Sequence, residues 1–423
     1  MSEAPKDRFA LFGALRLANA GAGLVFGLLQ TAILARTLPL DSFAHYVLAG
    51  ALGNALWAFD LGIARVLFTR LRPAWLDGNV PASLARQGWA VVLFYAALVL
   101  VGAVVLFAVA LLRAIPDALG LAAFFAFTAL NLPWFALRTL SVAVDRFVQI
   151  ELAEASRRAL QIGAMLLPLL GVSVGTASLI GLAAWALPVA PTLLRLRAIG
   201  AVAPGPVVGG MVQTWRSHRA DLARAGSYAL AELAIYNAPY AVASWLFGVG
   251  PATIVADLLA KTLRGATVLS ASLCEAAVPA QTRAWHARDR AALIRTTQRV
   301  VATVALPTMC LSLLLILAGN ELYAKLVADA VAMPAMLGAL AGLLVIANGV
   351  QTISNHLLIH TAAFLAVSRA AVALVVCFAA GAALAFLFQV EVVRFWQGYA
   401  AIYAAGALVY ATLAIQRARQ LPS

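Results

Sequence analysis

The chain has 423 residues, of which 64% are apolar and only 11% charged; a soluble domain carries about 25% charged residues, so an ordinary soluble fold is excluded. The apolar residues come in runs of about 20–28, the spanning length of membrane helices and not of barrel strands. The formal net charge of +13 is no mark of nucleic-acid binding, because the bases are scattered through short loops and not massed on a soluble face.

Twelve spans are predicted, at 10–35, 43–66, 88–112, 116–140, 156–172, 175–197, 225–248, 252–279, 298–319, 333–359, 366–389 and 394–416. Lys6 and Arg8 precede the first run without a small-residue cleavage site, so it reads as a retained span. The N-terminus and the loops after even-numbered spans, with Arg369 after the tenth, hold 23 of the 30 bases, Arg157 and Arg158 among them. The opposite side holds only Arg36, Arg113, Lys325 and Arg394. Basic loops stay in the cytoplasm, so both termini are expected there. The longest loop, 198–224, is rich in Gly and Pro. It divides the chain into a six-helix bundle over 1–200, a linker over 201–224 and a second bundle over 225–423. A basic, Trp-containing segment follows both span two and span eight, and such segments suit the cytoplasmic membrane surface. Cys274, Cys310 and Cys377 sit inside apolar runs with no pairing or metal spacing.

The spans carry polar stripes. In span one, Arg16, Asn19, Gly23, Gly27 and Gln30 share a face about 80° wide; this face reads either as cavity lining or as a helix contact through its GLVFG pattern. Asp60 closes span two, where it could anchor the nearby Arg65 or serve coupling. Span four holds Asn131, Pro133, Trp134 and Arg138, with a kink expected at the proline. Span seven presents Glu232, Tyr236 and Tyr240 on one face. Span eight, PATIVADLLAKTLRGATVLSASLCEAAVPAQ, carries Asp257, Lys261, Arg264 and Glu275 within an arc of about 60°. Charges at that depth cost several kcal/mol each and persist where they face water or a charged ligand; Asp257 and Lys261 are also i,i+4 partners. Span ten lines up Asn348, Gln351 and Asn355, amides suited either to hydroxyl-rich ligands or to bonds between helices. His356 and His360 have i,i+4 spacing without an accompanying acid, so no metal site is expected. Nucleotide-binding and nucleophile-elbow motifs are absent, which disfavours ATP-driven pumping by this chain.

Residues 30–70, QTAILARTLPLDSFAHYVLAGALGNALWAFDLGIARVLFTR, resemble the first two helices of polysaccharide flippases of the Wzx type. The likeness lies in the L-A-R-x-L turn at Leu34–Leu38, the F-x-x-Y start at Phe43–Tyr46 and the D-x-G-[LI] stretch at Asp60–Ile63. The span-eight region through PAQTRAWHARDRAALIRTTQRVV and the stretch RTLSVAVDRFVQIELAEASRRAL after span four are similar to the same family. That family belongs to the multidrug/oligosaccharidyl-lipid/polysaccharide exporter superfamily. The resemblance implies an all-α fold of twelve transmembrane helices, arranged as two six-helix bundles around a central cavity. It further implies that Arg16 and Arg264 meet a lipid-linked pyrophosphate, to which Lys261 would add a third cation. Two departures stand out: GVGPATIV replaces a G-x-Y pattern before span eight, and Asn237 stands where many relatives carry an acid.

The expectation is therefore a multi-pass protein of the bacterial cytoplasmic membrane that flips a polyprenyl-pyrophosphate-linked oligosaccharide for surface polysaccharide synthesis. Asn19, Gln30, Tyr236, Tyr240, Asn348, Gln351 and Asn355 would touch sugar or line the cavity. Asp60, Glu232, Asp257 and Glu275 would serve coupling or gating, with a proton or sodium ion as the coupling species and no other cofactor. Expected partners are the lipid-linked glycan, membrane lipid, and polysaccharide polymerase and export proteins; nucleic acid is not one. The alternatives are a drug/cation antiporter of the same superfamily and a membrane enzyme acting on lipid-linked sugars. The short external loops disfavour the enzyme.

Overall fold

The protein, seen as a computed structural model, is described over residues 6–421 apart from 61, 276, 278, 279, 282, 283, 286 and 362. The described elements are helices: α1 (Lys6–Thr37), α2 (Leu40–Ala55), a 3-10 turn (Leu56–Asp60), α3 (Ile63–Leu76), α4 (Ala82–Leu112), α5 (Ala118–Ala129), α6 (Asn131–Ala143), α7 (Phe147–Leu166), α8 (Val174–Ala184), α9 (Ala186–Ala198), α10 (Val207–Phe247), α11 (Pro251–Glu275), α12 (Arg290–Leu326), α13 (Leu337–His360), α14 (Phe364–Leu387) and α15 (Val392–Arg419), with a second short 3-10 turn at Leu167–Leu170. Seven helical stretches among the described residues are long and apolar enough to cross a membrane.

Two compact units divide at Leu230/Ala231. Within the first, α1 packs on α7, α2 and α4 on α5, α5 on α8, and α3 on α6. Within the second, α13 packs against α11, α12 and α15, and α14 against α15. Each unit has a central helix. The stretches Ala118–Ala143 and Leu337–His360 are each 72% buried over their most apolar window, against about a third or less for the other five. Both are the fourth predicted span of their half.

Three predicted spans or loops take another form. Span two is not one helix: α2 ends at Ala55, the chain tightens into the 3-10 turn, and α3 restarts at Ile63. The D-x-G motif makes this junction. Gly62 has φ 76°, where a side chain is strained. The Asp60 carboxylate accepts from the N–H groups of Gly62 and Ala64, both at 3.0 Å, and so satisfies free donors at the start of α3. Beyond it α3 is amphipathic. Ile63, Ala64, Val66, Leu67 and Leu71 are buried, while Arg72 pairs with Asp145 at 2.5 Å. Span four parts at Leu130 between α5 and α6. There Asn131 Nδ2 donates to the Thr128 carbonyl at 2.8 Å, ahead of Pro133, which has no N–H to give the preceding turn. The stretch 198–224 is a loop only as far as Pro206. From Val207 it is helical, with a break in helical geometry at His218 (φ −130°). This linker belongs to the first unit because Ala201, Val202, Thr214 and Leu222 are buried and Ala203 N–H bonds to Ala85 O at 3.1 Å.

Candidate functional site

Helix α11 carries the charged stripe of the second unit, and the central helix α13 packs beside it. Lys261 Nζ lies 2.6 Å from Asp257 Oδ2, one turn away. The other oxygen of Asp257 accepts from the Tyr240 hydroxyl of α10 at 3.1 Å. Asp257 is buried, while Lys261 and Arg264 are half-buried. Thr262 and Tyr323 share a hydroxyl hydrogen bond of 2.8 Å, which holds α11 to α12. Asn348 donates both amide protons, to Thr267 of α11 at 2.8 Å and to Tyr403 of α15 at 2.9 Å. Pro239 deprives the Ile235 carbonyl of its helical partner, and the Tyr399 hydroxyl donates to that carbonyl at 3.2 Å. The stripe therefore sits in a frame of interhelical hydrogen bonds. It presents two cations and one acid within about two turns, on the second unit's own core.

The first unit holds a denser network. Arg157, 2% exposed, bonds to both oxygens of Glu154. It also donates to Asn131 Oδ1 at 2.7 Å and Gln161 Oε1 at 3.1 Å. Its guanidinium lies 5.5 Å from the Trp134 ring centre and 4.9 Å from that of Trp185, and the two indoles meet edge to face. These contacts replace the water an arginine loses on burial. Arg158 bonds to Glu154 at 2.9 Å and Gln161 at 3.1 Å. Glu151, fully buried, takes Arg138 at 2.6 Å on one oxygen and Asn19 Nδ2 at 2.8 Å on the other. Three arginines thus share two carboxylates, a formal surplus of one positive charge.

The structure sorts the predicted site residues unevenly. It brings Tyr240, Asp257 and Lys261 together, with Arg264 one turn further along α11. Asn19 does not line open space: its amide joins α1 to Glu151 of α7. Gln30 and Gln351 are buried and Asn355 is half-buried. Asp60 is committed to the start of α3 and to the Tyr95 hydroxyl at 2.7 Å, an anchoring role. The side chains of Arg16, Glu232, Tyr236 and Glu275 lie outside the described residues.

Sequence reasoning missed the Glu151–Gln161 cluster by placing Arg157 and Arg158 in the basic flank of span five, where they were counted as cytoplasmic. Both stand inside α7. The signal was present: Glu151, Glu154, Arg157, Arg158 and Gln161 fall within an arc of about 120° on a helix. Starting the span at 156 cut that face in two.

No protein-family model matches the sequence, and no curated protein matches it. Solved structures do. The eukaryotic MATE transporter AtDTX14 aligns over 98% of this chain and 97% of its own, with a TM-score of 0.66 and 14% identity. An inward-facing multidrug resistance MATE transporter of the MOP superfamily aligns over 97% and 98%, with a TM-score of 0.61 and 13% identity. A MOP-superfamily transporter from Pyrococcus furiosus, described by the reverse polarity of its binding pocket, aligns over 97% and 95%, with a TM-score of 0.58 and 12% identity. The chain therefore has the fold of MATE transporters of the MOP superfamily.

Proposed function

We propose that this protein is a secondary transporter of the cytoplasmic membrane that flips a polyprenyl-pyrophosphate-linked oligosaccharide for surface polysaccharide synthesis. The observation that carries the reading is the pair Lys261 and Arg264, one turn apart in the apolar helix α11, against the single acid Asp257 at that level. A diphosphate cannot enter hydrocarbon without replacement of its water, and paired cations supply charge-assisted hydrogen bonds to it. Arg16 is a further candidate that only the sequence resemblance supports, since its side chain lies outside the described residues. Asp257 holds Lys261 when no anion is present and yields it to the diphosphate. Sugar hydroxyls would meet Gln351, Asn355 and Tyr236.

The fold supports a transporter of some kind, since its structural neighbours are MATE transporters. It supports equally a drug/cation antiporter, because one of those neighbours is a multidrug resistance transporter. Buried Glu151 and Glu154 favour that second reading, though each already faces arginine. The P. furiosus transporter's pocket of reverse polarity is taken to indicate a different function, so polarity separates roles within this fold.

Replacing Arg264 by Ala in the producing cell, at unchanged protein level, is expected to cut export of the lipid-linked glycan at least tenfold. Export at the normal rate would sink the flippase mechanism. Sensitivity to cationic dyes on deletion of the gene, with glycan export intact, would establish the antiporter instead.

A further inference from the structure

Away from the charged stripes, α14 and α15 enclose a groove of about 170 Å³ in the second unit. Phe378 and Gly381 of α14 and Phe395, Gly398 and Tyr399 of α15 line it, and Arg394 is the one charged residue on its wall. Both helices are long and apolar enough to cross a membrane. The groove runs along α15 from Arg394 to Ile402, about 12 Å by helical rise. That is close to the ~15 Å half-thickness of a bilayer core.

Two features point to an occupant. A Cβ added at Gly398 would meet nothing within 4 Å. This glycine therefore serves no close helix contact, and the space beside it is open groove that a larger side chain would fill. Arg394 is exposed in the first turn of α15, where the helix dipole disfavours a cation. It makes no ion pair among the described residues, even with Glu391 three positions before it, which does not line the groove. An apolar trough one leaflet deep, with a cation at its membrane-surface end, matches one acyl chain and the phosphate of a lipid.

We infer that this groove binds an anionic membrane phospholipid, with one acyl chain along Gly398 and the phosphate on Arg394. The groove's length suits a diacyl lipid confined to one leaflet, whereas a polyprenyl chain is several times longer. The inference is independent of what the protein transports.

The test is native mass spectrometry of the purified full-length protein, titrated with phosphatidylglycerol, phosphatidylcholine or a polyprenyl phosphate. Phosphatidylglycerol should bind about tenfold more tightly than phosphatidylcholine, and Arg394→Ala should erase that preference. Gly398→Leu, whose side chain enters open space, should abolish binding of both lipids, while Gly398→Ala retains it. The thermal midpoint of each variant reports its folding. Equal binding of the two phospholipids, an Arg394→Ala protein with preference intact, or binding of polyprenyl phosphate alone would each overturn the inference.

Discussion

Glu154 holds two arginines at once, and so decides whether the core of the first unit is affordable in apolar surroundings. Arg157 and Arg158 both bond to it, and both indoles of Trp134 and Trp185 stack on Arg157. Removing one partner of a buried pair leaves an uncompensated charge and costs about 3–5 kcal/mol. Glu154→Gln should therefore lower the thermal midpoint in detergent far more than Arg113→Ala does, since Arg113 is exposed. Adding Arg157→Met and Arg158→Met to Glu154→Leu should recover part of the loss, because both arginines that Glu154 holds are then replaced by apolar side chains. A Glu154→Gln protein as stable as the parent would mean that the network is not structural. The pairing of Asp257 with Lys261 was legible in the sequence because it is local, one helical turn. Partners such as Asn19 and Glu151, 132 residues apart, were not, since no local spacing connects them.

At the scale of elements, the helices meet through glycines whose missing side chains set the spacing. A Cβ at Gly53 of α2 would lie 2.7 Å from the Phe125 carbonyl oxygen of α5, a backbone atom that cannot rotate away. Gly53→Ala should cost about 1–3 kcal/mol as overpacking. By contrast, Gly163 in α7 has nothing within 4 Å of its missing Cβ, so Gly163→Ala should be neutral or stabilise by up to about 1 kcal/mol. Unfolding midpoints of the two variants, shifting in opposite directions or by clearly unequal amounts, check the argument; equal shifts would refute it. Hydropathy located the helical regions but not their breaks. The junction after Asp60 depends on the left-handed φ of Gly62 and on two backbone N–H groups meeting one carboxylate. A window average over apolar residues smooths such a junction away.

For the whole molecule, the charge asymmetry between loops predicts an orientation that can be measured. Moving Arg138, Arg157 and Arg158 from loop to helix leaves the balance lopsided, and the positive-inside rule then predicts that both termini are cytoplasmic. Alkaline phosphatase fused after Ala114 should be active outside, and the same fusion after Asp145 inactive. Green fluorescent protein at the C-terminus should fluoresce. The reverse pattern would overturn the orientation. Ala118–Ala143 and Leu337–His360 are the two most buried of the seven spanning stretches among the described residues, one in each unit.

Composition and periodicity by themselves determined an all-helical membrane chain and the charged face of α11, because burial in lipid forces backbone bonds to close within each helix and makes every internal charge conspicuous. Tertiary structure alone decided which polar groups those faces meet. It turned Asn19 from a lining residue into a clasp on Glu151, gave both amide protons of Asn348 to neighbouring helices, and gathered three arginines around two glutamates. The physical reason is one of range: helical spacing assigns a residue to a face, but only the packing of helices distant in sequence supplies the partner that makes a buried polar group stable.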